Sequence, residues 1–125
     1  MRYLIVFALA VLFAGPAAAK AMKVGDLGPM AGRKACMQQA RAVLQDYIDE
    51  HGGQSITGGE EDDPAENWSV YGWGLRPGVN DVVIICPIVT TQPNAFYTIH
   101  SDGPEGVENA DLVAGRIDEL WRQPR

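Results

Sequence analysis

Four residues carry the side chains on which a catalytic or metal-binding reading would rest: Cys36, His51, Cys86 and His100. Formally they make a Cys₂His₂ zinc set, but no two of them are close in sequence, as the ligand pairs of structural zinc sites are. Two cysteines in an exported chain point instead to one disulfide, Cys36 to Cys86. A sulfur held in a disulfide is no nucleophile, so a thiol with His100 as its base is not expected. His100 and Asp102 are spaced as a base and its orienter, with Ser101 between them. Neighbours on a strand point to opposite faces, however, so Ser101 and His100 do not make a triad directly. The chain has no G-x-S-x-G, H-E-x-x-H, phosphate-cradling glycine loop or C-x-x-C-H haem motif. The residues therefore predict no catalytic set, no metal and no cofactor.

Two further clusters bear on binding. Glu60, Glu61, Asp62 and Asp63, followed by Pro64, suggest calcium, since hard cations take carboxylate oxygen. Adjacent acids diverge and the D-x-D-x-D-G pattern is missing, so a solvated charge run is the expectation. Trp68, Tyr71 and Trp73, interleaved with Gly72 and Gly74, would offer aromatic faces to a flat ligand or a partner where the backbone is approachable. The competing expectation, favoured by their strand positions, is that they pack beneath the helices. Asn67-Trp68-Ser69 matches the glycosylation sequon, which matters only for a eukaryotic source.

The elements that must position these residues begin after an export signal. Met1-Arg2 supplies a positive start, Tyr3 to Ala14 an apolar run and Ala17-Ala18-Ala19 a small-residue cleavage site. The apolar run falls well short of the roughly 20 residues needed to span a bilayer, and Gly15-Pro16 breaks it. Residues 1–19 are thus expected to be a cleaved signal peptide and 20–125 one small exported domain, periplasmic or extracellular, with no membrane segment afterwards. Of the 10 basic and 16 acidic residues only Arg2 lies in that signal, which leaves nine against sixteen, a net charge of −7. Phosphate-backbone partners are disfavoured. Eight acids and no Lys or Arg fall between Ala42 and Leu75.

Lys20 to Gly32 shows no periodicity and reads as a leader strand or loop, with Met22 and Met30 as gap-filling or exposed side chains. In Arg33 to His51, Cys36, Ala40, Val43, Leu44, Tyr47 and Ile48 follow the 3.6-residue period, and Gly52-Gly53 ends the helix. A short edge strand is expected at Gln54 to Thr57. Trp68 to Leu75, Asp81 to Thr91 and Ala95 to Ser101 form an antiparallel meander around the β-branched run D-V-V-I-I-C-P-I-V-T-T, whose Pro87 fits a central strand poorly. Val107 to Arg122 is a second helix with Ala110, Val113, Ala114, Ile117, Leu120 and Trp121 as its stripe.

A three-residue loop at Gln92 to Asn94 predicts that Cys86 lies opposite His100. Tyr71, Trp73, Leu75, Val82, Ile84, Ile88, Phe96 and Thr98 then share the side of Cys86. Trp68, Val70, Gly72, Gly74, Val83, Ile85, Val89, Tyr97 and Ile99 take the other, and a one-residue error in a loop exchanges sets. The fold class is α+β, a two-layer domain of an antiparallel three- to four-stranded meander with two helices and one disulfide. Three strands make a sheet about 14 Å wide and two helices need about 20 Å, so four strands with both helices on one face is the expected arrangement. That leaves an apolar second face, which would mark an interface.

The function read from this is a small, non-enzymatic binding or interaction module, a homodimer through the sheet or a receiver of a protein or small ligand, with Trp68, Tyr71, Trp73 and His100 as its candidate surface. The alternatives are a calcium-assisted or His100-centred hydrolase and a protein inhibitor of an envelope enzyme.

Overall fold

The structure, a computed structural model, describes residues 20–59, 68–87 and 91–125. The export signal, the Glu60 to Asp63 cluster, Asn67 of the sequon, and Ile88 and Val89 of the expected central strand lie outside the described residues. The chain folds as β1 (Ala21–Pro29), α1 (Arg33–His51), β2 (Ser55–Thr57), β3 (Ser69–Leu75), β4 (Asn80–Ile85), β5 (Asn94–Ser101) and α2 (Gly106–Arg122). It is an α+β domain: one five-stranded antiparallel sheet in the order β1-β5-β4-β3-β2, packed with two helices.

Both helices lie on one face, α1 over β2 and β3, α2 over β1 and β5, and they touch each other. Five strands span about 24 Å, enough for two helices side by side, which a three-stranded meander was not. The added width comes from β1, the segment read as a leader strand or loop, which pairs along β5 from Ala21↔Ser101 to Pro29↔Asn94. The short edge strand after α1 is present as Ser55–Thr57.

The covered face carries Val70, Val82, Ile84, Ala95, Tyr97 and Ile99, all buried. Against them pack Ala40, Val43, Leu44 and Tyr47 of α1 and the whole expected stripe of α2. Cys36 and Cys86 meet in this layer and are bonded, with Cα atoms 5.7 Å apart. The crosslink thus ties the first turn of α1 to the end of β4.

Two expectations about the meander are corrected. The central strand does not run from Asp81 to Thr91: β4 ends at Ile85, just before Cys86 and Pro87. Pro87 has no N–H to give a ladder, and the Cys86 N–H donates instead to the Trp68 carbonyl at 2.6 Å. The register is also different. His100 pairs with Asp81, not with Cys86, because eight residues, Cys86 to Pro93, separate the strands rather than three. The slip is five residues, an odd number, so β5 turns over: Tyr97 and Ile99 face the helices, and Phe96, Thr98 and His100 face away.

On β3, Gly72 pairs with Val82 but Leu75 with Asn80, an irregularity that lets Trp73 face outward while Leu75 turns into the core. Gly74 takes a positive φ of 62° there, and its N–H is satisfied by Asp81 Oδ1 at 3.0 Å. Tyr71 and Trp73 accordingly leave the Cys86 side and do not pack beneath the helices.

Candidate functional site

Strand alternation assigns the sheet's other face. From the β1 edge inward it carries Met22, Val24 and Asp26, then Phe96, Thr98 and His100, then Asp81, Val83 and Ile85, then Tyr71 and Trp73, and last Ser55 and Thr57. No described element covers it. Met22 is 73% exposed, Val24 64%, and Phe96 and Trp73 37% each. A row runs straight across from Val24 through Thr98 and Val83 to Tyr71 and Thr57. The face measures about 24 Å by about 20 Å, roughly 500 Å² in projection with its polar positions included.

The aromatic pair on it is held in place. Tyr71 and Trp73 lie two positions apart on β3 with ring centroids 5.5 Å apart and planes within 4°. Trp73 Nε1 donates to Thr57 Oγ1 at 2.9 Å, so edge strand β2 fixes the indole. An amphipathic ring orientated by its own polar atom presents contact area with little left to order on binding.

The four residues read as a candidate surface are therefore divided. Tyr71, Trp73 and His100 share the open face, Tyr71 and Trp73 on β3 and His100 two strands away on β5. Trp68 stands just before β3, exposed and in phase with Val70 rather than with Tyr71. Sequence reasoning placed Val83 and Ile85 on the side away from Cys86, where they stand, and missed Met22, Val24 and Phe96 as members of this face. The M-K-V-G-D alternation at 22–26 was the available signal, a period of two in a segment read as irregular.

The chemical constellations do not assemble. His100 Nε2 lies 3.8 Å from Asp102 Oδ1, but Ser101 projects to the covered face, where its hydroxyl donates to Asn80 Oδ1. The bonded cysteines are buried on that same face. His51, at the end of α1, sits against the Tyr47 ring and 3.5 Å from a Glu50 carboxylate oxygen. Among the described residues no three His, Cys, Asp or Glu side chains are grouped to hold a metal ion.

A cleft of about 580 Å³ opens between the helices and the β3–β4 turn, lined by Tyr47, His51, Arg76, Pro77 and Arg116 among others. Its polar groups are engaged with the protein itself. Arg116 donates to both oxygens of Glu50 at 2.6 and 2.7 Å and to Glu119 at 2.8 Å. That pairing holds the Glu50 carboxyl below the usual range, the Arg116 hydrogen bond outweighing partial burial. The Tyr47 hydroxyl donates to the Arg76 carbonyl at 2.5 Å, and burial pushes its pKa up to about 12. These contacts clasp α1 to α2 and to the turn, so the cleft reads as structural.

Charge separates the two sides of the sheet. All nine Lys and Arg residues beyond position 19 lie off the outward positions, on α1, α2, the β3–β4 turn, the chain ends and the inward-facing site of Lys23. The outward positions hold Asp26 and Asp81, with Asp102 just past the end of β5 beside His100.

Compared with protein-family models, with curated proteins and with solved structures, the chain finds no match in any of the three.

Proposed function

We propose that this chain is a small exported module that works by docking, and that its contact surface is the open face of the sheet. The observation that carries the reading is the exposure of Met22, Val24, Phe96 and Trp73, Met22 and Val24 most of all, on the one sheet face that neither helix covers. Export is supported by the charged start, apolar run and Ala-rich cleavage site of residues 1–19 and by the disulfide, which an oxidising compartment sustains. Among the described residues no helix is long and apolar enough to cross a membrane.

Docking by strand addition is disfavoured at both edges. β2 is three residues long. β1 turns Lys23 inward to Asp111 at 2.6 Å, breaks its register between Asp26 and Gly28 and ends in Pro29, the devices that blunt a sheet edge. The face is left as the contact surface, and inhibition of an envelope enzyme is one task such a surface performs.

A photo-crosslinking amino acid at Thr98, in the middle of the face, tests this against one at Leu112, exposed on α2. In the native compartment, adducts are expected at Thr98, lost when Trp73→Ala is added, and not at Leu112. Equal adducts at both positions, or none at Thr98, overturn the reading.

A further inference from the structure

Resting on that reading, we propose that the occupant of the open face is a cationic protein surface, one that sets an apolar centre inside a rim of Lys or Arg. The argument is one of charge and of elimination. The acids of the face are Asp26 at the β1 side, Asp81 on β4 and Asp102 at the β5 end, the last two beside His100, and no Lys or Arg stands at any outward position. Asp26 accepts from the Gly28 N–H at 2.7 Å and from Asn94 Nδ2 at 3.0 and 3.1 Å, and Asp81 from the Gly74 N–H. Both acids are thereby held at fixed points on the rim.

A second copy of the chain would bring two such rims together, each on a body of net charge −7 once residues 1–19 are removed, and like charges set face to face cost affinity. An anionic lipid surface or a nucleic acid meets the same repulsion. A cationic partner gains at each point: its ammonium or guanidinium groups find Asp26, Asp81 and Asp102, and a cation over the exposed Trp73 ring is attracted by its quadrupole. Its apolar centre covers Val24, Phe96 and Val83. The aromatic pair is the anchor, because it is already orientated by Thr57.

Two synthetic ten-residue peptides serve as probes, alternating Lys-Leu and alternating Glu-Leu, titrated against the mature chain by calorimetry. The Lys-Leu peptide is expected to bind, at least tenfold more tightly than the Glu-Leu peptide. Its affinity is expected to fall about tenfold in Val24→Ser/Phe96→Ser and several-fold, with a flatter salt dependence, in Asp81→Asn/Asp102→Asn. Leu112→Ser, on the helical side, should leave it unchanged, and thermal melts confirm that each variant is folded.

Equal affinity for both peptides overturns the cationic preference while the docking face stands. Lys-Leu binding that ignores the face variants is general attraction to an acidic protein and overturns the proposal. A dimer in sedimentation that dissociates in Val24→Ser/Phe96→Ser, or binding to anionic vesicles, assigns the face to another occupant and overturns it likewise. If neither peptide binds, the proposal fails, and the Thr98 crosslink decides separately whether the face docks anything.

Discussion

Asn80 and Ser101 are Cα partners across β4 and β5, both buried, and they are hydrogen-bonded to each other through their side chains. Asn80 also donates through Nδ2 to the carbonyls of Leu75 at 2.7 Å and Pro77 at 2.6 Å. One amide thus closes the β3–β4 turn from within and pins it to β5. Asn80→Ala strands those acceptors and should cost about 2–4 kcal/mol in urea unfolding, with Ser101→Ala costing about 1. Asn80→Asp, which sets a carboxylate against two carbonyls, should be at least as damaging. A loss under 1 kcal/mol for Asn80→Ala would show that the turn holds itself.

The Cys36–Cys86 bond closes a loop with a sequence separation of 50. On the chain-entropy account its loss lowers stability by about 4 kcal/mol, a large share for a domain of this size. Cys36→Ala/Cys86→Ala should show that drop in its urea midpoint. An unchanged midpoint would mean that the packing of α1 on the sheet suffices without the crosslink.

Glu50 and Arg116 join the helices, and the depressed carboxyl pKa has a defined consequence for pH dependence. The contribution is fully present above the unfolded carboxyl pKa and is lost as pH falls through the lower folded value. Glu50→Gln should therefore melt lower than the parent at neutral pH, with the difference shrinking as the sample is acidified. Parallel melting curves from pH 7 to pH 2 would contradict the pairing.

Tyr47 acts at the other end of the scale. Its folded pKa, pushed up to about 12 by burial first and by Glu50 second, lies above its unfolded value. The folded state therefore holds the phenolic proton longer, and stability falls as pH rises from about 10 to about 12. Tyr47→Phe should lose that alkaline slope while costing about 1 kcal/mol at neutral pH for the missing hydrogen bond to the Arg76 carbonyl.

Gly25 sits on β1 directly over the Tyr97 ring: a Cβ there would lie 2.1 Å from Cζ. Gly25→Ala is expected to destabilise by about 1–3 kcal/mol through overpacking. Tyr97→Leu in the same chain should recover part of it, and the coupling in that double-mutant cycle measures the contact. If the two losses simply add, Tyr97 moves aside freely.

The helices were legible in the sequence because apolar spacing within one element is local information; Arg33–His51 appears with the bounds that its periodicity predicts. Strand β1 was not, since Gly25, Gly28 and Pro29 resemble loop composition, and its Met22/Val24 alternation acquires meaning only once β5 lies beside it. The same holds for the site. The aromatic residues of β3 could be named, but their side of the sheet depended on the β3–β4 register and its irregularity at Gly74, and that of Phe96 and His100 on the length of the β4–β5 connection.

By itself the sequence determined that two helices bury one stripe each, that Cys36 and Cys86 are paired, and that the basic residues are outnumbered. Those follow from spacing and from counts. Only the tertiary structure decided which outward residues make the open face, because register has a period of two and an odd slip exchanges every side chain between the covered and the uncovered side.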